Sequence, residues 1–119
     1  MSIKEFCRQL GGGFTVQVID LEECLYTDFG NGFNVEISGY AGRHPLIMYL
    51  WFGDGLGAMI VDTFWKVPRT VEDVKAAVDM LREYSGDIIA AGLNTREGVL
   101  KMREVPRERS EYPVLRKRC

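Results

Sequence analysis

Leu46-Ile47-Met48-Tyr49-Leu50-Trp51-Phe52, Gly53-Asp54-Gly55-Leu56-Gly57 and Ala58-Met59-Ile60-Val61-Asp62-Thr63-Phe64-Trp65-Lys66-Val67 follow one another in the chain, and their reading decides the fold. Two runs rich in β-branched and aromatic residues, hinged on a short glycine-rich turn, form the pattern of a β-hairpin. The first run is apolar throughout, as in a central strand covered on both faces. The second alternates. Met59, Val61, Thr63, Trp65 and Val67 share one face, and Ala58, Ile60, Asp62, Phe64 and Lys66 the other.

Upstream of this ribbon the same period continues. Phe14 to Leu21 alternates as a first strand, with Phe14, Val16 and Val18 on one side. Asp20 to Glu23 reads as a turn region. Cys24 to Phe29 is a second strand, and Gly30-Asn31-Gly32 supplies residues suited to a tight hairpin. Phe33 to Tyr40 is the third, with Phe33, Val35 and Ile37 inward and Asn34, Glu36 and Ser38 outward. Strands joined by short turns pair as neighbours, so the five make an antiparallel meander. Before them, Ser2 with Glu5 fits a capping box for a short helix that Gly11-Gly12-Gly13 ends.

Downstream, Pro68 stops the fifth strand and Thr70 with Asp73 marks a helix start. Val71, Val74, Ala77, Val78, Leu81 and Tyr84 fall on one helical face, and Ser85-Gly86 reads as the helix end. Residues 87–105 suit either a strand from Ile88 to Leu93 or a helix capped at Asn94. The capping pattern of Asn94 with Glu97 favours helix. The fold expected is α+β: a five-stranded antiparallel β-meander, a short N-terminal helix, and a helix over 70–84 packed on one face. Residues 1–105 form one domain, and residues 106–119 a basic tail.

Charge is uneven along the chain. Residues 1–100 hold 8 Lys and Arg against 14 Asp and Glu, a net of −6. Residues 101–119 hold 7 against 3, a net of +4, which closes with the formal total of −2. No apolar run approaches the length of a membrane span. Three widely spaced cysteines, Cys7, Cys24 and Cys119, make no disulfide framework, which points to a reducing, cytoplasmic setting.

Few residues carry recognisable chemistry. Gly11-Gly12-Gly13 lacks the preceding strand and following Lys-Ser/Thr of a phosphate loop. The single histidine, His44, has no nucleophile beside it in sequence, and a loop histidine in water is the simpler reading. One histidine and three scattered cysteines do not make a zinc site. The expectation is a protein that is not an enzyme and needs no metal or cofactor. The order helix, strands, helix resembles double-stranded-RNA-binding domains in topology alone. The second helix opens on Thr70-Val71-Glu72-Asp73, where a phosphate reader needs Lys or Arg. Nucleic acid would be met only through the basic tail.

What remains is a small acidic module that binds another protein. Glu22, Glu23, Asp28 and Glu36, as outward carboxylates, and the tail's Arg116, Lys117 and Arg118 are the partner-binding candidates. Solvated carboxylates on a sheet are the plain alternative. Size and acidity suit phage-encoded inhibitors of host-defence nucleases, anti-CRISPR proteins among them, in which carboxylates stand where phosphates would lie. That comparison is one of class and rests on no motif. A secretion-chaperone-like adaptor, which would be a homodimer, is the alternative. The aromatic residues of the central ribbon add a structural point. A sheet with helices on one side leaves the other to residues 87–115 or to a partner.

Overall fold

A computed structural model describes residues 1–42 and 45–103, apart from the Trp65 side chain. The strands are β1 (Phe14–Ile19), β2 (Glu22–Asp28), β3 (Phe33–Ser38), β4 (Leu46–Phe52) and β5 (Met59–Val67). They lie in the order β1-β2-β3-β4-β5, every neighbouring pair antiparallel. The helices are α1 (Ile3–Leu10), α2 (Val71–Ala90) and α3 (Arg96–Met102). The fold is therefore α+β, a five-stranded meander with a short N-terminal helix and a long helix packed against it.

Alternation sorts the side chains. Leu25, Val35, Ile37, Leu46, Met48 and Leu50 point to one face and are fully buried. Phe6 and Leu10 of α1, Val74, Ala77, Val78, Leu81 and Ile88 of α2, and Val99 of α3 join them in one core. All three helices thus serve the same side of the sheet. The partners of the continuous apolar run differ from expectation. In β4 buried residues alternate with half-buried ones, and it is β3 whose six residues are all buried. The middle position in the order, not apolarity, gives a strand two covered faces.

Period two also fails in β5. Between the pairs Leu50↔Asp62 and Trp51↔Ile60, β5 spends two residues against one, and between Leu46↔Val67 and Met48↔Phe64 it spends three against two. Each extra residue is a bulge that re-aims the side chains beyond it. Asp62 and Phe64, placed by alternation with Ile60, pair with Leu50 and Met48 on the helix side, while Ile60 pairs with Trp51 on the outer side, and Phe64 is buried in the core. Lys66 absorbs the second irregularity with φ +63°.

Hydrogen bonds at the element ends explain why the chain turns where it does. Ser2 Oγ accepts from the Glu5 amide at 3.1 Å and Thr70 Oγ1 from Asp73 at 3.1 Å, closing the N-termini of α1 and α2. The third cap is Thr95, whose hydroxyl accepts from the Gly98 amide, and not Asn94. The guanidinium of Arg69 donates to the carbonyls of Gly39, Tyr40 and Gly42, tying the loop after β3 to the end of β5. Tyr40 itself stacks edge-on against Phe6.

α2 does not stop at Ser85-Gly86 but runs to Ala90. Ser85 donates its hydroxyl to the Arg82 carbonyl at 2.7 Å and accepts from Asn31 Nδ2 at 3.0 Å. A residue that caps or breaks helices in isolation is here bonded inside one. Ile88 extends the apolar stripe by a further turn, and the helix closes before Gly92 at φ +71°. The strand reading of Ile88 to Leu93 is accordingly overturned, since Ile88 to Ala90 are helix and a turn follows at Ala91 and Gly92.

Two substitutions test this account. A Cβ at Gly98 would lie within 3.0 Å of the Leu93 backbone, so the glycine is there to let two chain segments touch. Gly98→Ala is expected to lower unfolding stability in urea by about 1–3 kcal/mol, against the gain its helix propensity would bring. Lys66→Gly is expected to raise stability by about 1 kcal/mol in the same titration, because the exposed lysine holds a left-handed backbone that glycine adopts freely.

Candidate interaction surface

The face of the sheet turned away from the helices is where the unexplained residues gather. Cross-strand pairing puts Tyr26, Glu36, Tyr49 and Thr63 in one row. Asp28, Asn34, Trp51 and Ile60 form the next. Ser38 and Ile47 pair on the other side of the first row. Tyr26, Tyr49, Trp51, Ile47 and Ile60 are half-buried. They flank the shorter polar side chains of β3, which explains how Asn34, Glu36 and Ser38 come to be buried with no helix above them among the described residues.

Glu36 is the centre of this face, and its side chain is only 8% exposed. The Trp51 indole donates to its Oε1 at 3.2 Å. Cys24 Sγ lies 4.0 Å from its Oε2 and 3.6 Å from the Glu22 carbonyl oxygen. Burial drives the Glu36 carboxyl above the usual carboxylate range, and the charges of Asp20 and Glu22 add to the rise, while the indole hydrogen bond works against it. Burial also pushes the Cys24 thiol up to about 11, helped by the charges of Glu36 and Glu22. At neutral pH Cys24 is a protonated thiol, and the thiolate is the nucleophilic form. The geometry makes it a weak donor in a polar floor.

The expected partner-binding carboxylates take four different places. Glu22 is half-buried and its Oε2 accepts from the Gly39 amide at 2.6 Å. Asp28 is exposed, and its Oδ1 accepts from the Gly30 amide at 2.8 Å. Glu36 faces outward but is sequestered, as described above. Glu23 is exposed opposite Val18, on the helix side of β2. Glu22, Asp28 and Glu36 therefore share the outer face and Glu23 does not. Arg116, Lys117 and Arg118 lie outside the described residues, as does His44.

Sequence reasoning placed Glu36 outward but missed Tyr26 as its flanking aromatic. It also missed Cys24 as a neighbour of the carboxylate. Both lie two residues apart on one strand, and alternation alone would have put them on one face. At the rim, the charges of Asp28 and Asp54 reach the Tyr26 phenol and, after burial, raise its ionisation range further. Asn34 Nδ2 donates to the Gly53 carbonyl at 2.9 Å and binds the β4–β5 turn to this edge of the face. Asp62, at a bulge, belongs to the opposite side. Its Oδ1 accepts from the Thr63 amide at 2.8 Å, and its charge reaches Tyr84 of α2.

No family model matches the chain, and neither a curated protein nor a solved structure matches it. Among the described residues no three His, Cys, Asp or Glu side chains are grouped so as to hold a metal ion. No helix among them is long and apolar enough to cross a membrane.

Glu36 gives the face a pH signature. A carboxyl whose folded ionisation lies above its unfolded one holds extra proton in the folded state, so stability falls as pH rises from the ordinary carboxylate range through the folded value. Glu36→Gln keeps an acceptor for the Trp51 indole and removes the charge. Thermal melts are expected to show the variant more stable than wild type at about pH 8 and level with it at about pH 4.

Proposed function

We propose that the chain is a stoichiometric protein-binding module whose outer sheet face receives a basic segment of its partner. The observation that supports this is the cluster of Tyr26, Tyr49 and Trp51, half-buried around a buried carboxylate on a face that no described helix covers. Tyrosine and tryptophan offer large contact area with little rotamer entropy to lose, and they dominate the energetics of protein interfaces. Their aromatic faces also attract Lys and Arg side chains. Glu22, Asp28 and Asp54 stand around them, and the first 100 residues carry a net charge of −6, which draws a cationic surface in from a distance. An inhibitor that occupies the basic channel of a host-defence nuclease is the member of this class that size and acidity suit.

The experiment begins with the immobilised chain and the cell from which it comes. The protein retained by the wild-type bait is purified, and its binding is measured by titration calorimetry. The expected result is one partner per protomer, with affinity falling as salt rises. Tyr49→Ala is expected to weaken binding by about 30-fold or more, the scale of an interface anchor. Glu72→Gln, on the exposed side of α2, is the control and leaves it unchanged. Wild-type affinity in Tyr49→Ala would remove the outer face from the account.

A further inference from the structure

The sheet has two outer edges, and they are built differently. β5 carries two bulges and the left-handed Lys66, and Pro68 follows its last residue, Val67. Bulges, lysine and proline are the usual obstacles to another strand docking on an edge. β1 has none of them. Its sequence, Phe14-Thr15-Val16-Gln17-Val18-Ile19, holds no charged residue and no proline. Its register with β2 runs unbroken from Phe14↔Thr27 to Ile19↔Glu22. Among the described residues, no backbone hydrogen bond from outside the β1–β2 ladder reaches it. Alternate amides and carbonyls of β1 therefore point away from the sheet, as on any edge strand.

We propose that β1 pairs antiparallel with β1 of a second copy of this chain, joining the two meanders into one continuous sheet. The occupant follows from charge and from symmetry. An acidic body repels its own copy wherever charge faces charge. β1 and β4 are the strands without a charged residue, and β4 is interior. A two-fold axis perpendicular to the sheet through Val16 keeps both helix layers on the same side. It sets Val16 against Val16, Phe14 against Val18 and Thr15 against Gln17. The apolar pairs fall on the helix side and the hydrogen-bonding pair on the outer side, so the strand is complementary to itself.

Two exposed apolar residues fit the same operation. Val18 is 70% exposed on the single chain, and the Phe14 of a second copy would cover it. Leu21 is 100% exposed and sits in a left-handed turn at φ +66°, a position where a leucine is both strained and wet. Continuing the pairing brings it beside Gly11 and Gly12 of the other copy, where an added Cβ meets nothing within 4 Å. This inference is independent of the outer-face reading, since it concerns an edge and not the aromatic cluster.

Sedimentation equilibrium on the full chain tests it. The wild type is expected at twice 13.5 kDa. The double variant Thr15→Lys with Gln17→Lys changes two exposed side chains and opposes lysine to lysine across the axis. It is expected to be monomeric with an unchanged circular dichroism spectrum. The counterpart Thr15→Glu with Gln17→Glu should be monomeric too, and an equimolar mixture of the two should restore the dimer mass. Any of three results would overturn the proposal. These are a wild type that stays monomeric up to about 1 mM chain, a dimeric lysine variant, and a mixture that stays monomeric.

Discussion

The apolar side of the meander must leave water, and α2 is the element that makes this happen. Twenty residues of helix span about 30 Å, more than the width of five strands laid about 4.8 Å apart. A helix ending at Tyr84 would take Ile88, a buried member of the core, out of that cover. The bond from Asn31 to Ser85 joins the β2–β3 turn to the helix at the place where a local stop would have fallen. From there the chain doubles back through α3, which seats Val99 in the same core. The close approach of Gly98 to Leu93 is the geometric price of that return.

Covering one side so completely determines the character of the other. With α1, α2 and α3 all committed to the core, the outer face among the described residues has only its own side chains for shelter. Long aromatic neighbours on β2 and β4 lean towards the shorter residues of β3, and the middle strand ends up dry on both sides. A carboxylate there needs a donor, because an unpartnered buried acid is among the costliest groups a fold can hold. The Trp51 indole provides it.

These relations mark the limit of what could be read from residues alone. The strands, their order and the turn at Gly55–Gly57 follow from alternation and glycine placement, which are local signals. The end of α2 does not, because the local cue of Ser85-Gly86 is outweighed by a hydrogen bond across 54 residues. The bulges of β5 do not either. A bulge exists only relative to a partner strand, and Ile60 reads as sharing a face with Asp62 and Phe64 until Trp51, Leu50 and Met48 are set against them. The β1–β2 turn is a third case. Asp20 and Leu21 both take positive φ, so β2 begins at Glu22, earlier than a turn over Asp20 to Glu23 allows. That one shift separates Glu22 from Glu23, sending consecutive carboxylates to opposite sides. In the site, alternation was enough to aim Glu36 outward. Its burial depends on which residues flank it across two strands, and only the register reveals Tyr26 and Tyr49 there.

Retaining an acid at the centre of the outer face has a physical consequence that bears on its use. A buried ionisable group stabilises less than an apolar one of the same shape would, so Glu36 is a poor choice if stability alone is at stake. Replacing it with leucine or methionine would make the floor beneath the aromatics apolar, and an apolar floor binds any apolar side chain that reaches it. A carboxylate in that position favours a partner group that brings a donor or a positive charge, and disfavours one that brings another acid. The cover over it is deep enough to strengthen any such bond by lowering the local dielectric. On the binding role proposed above, the same burial that raises the Glu36 ionisation would favour a partner group that brings a donor over one that brings another acid.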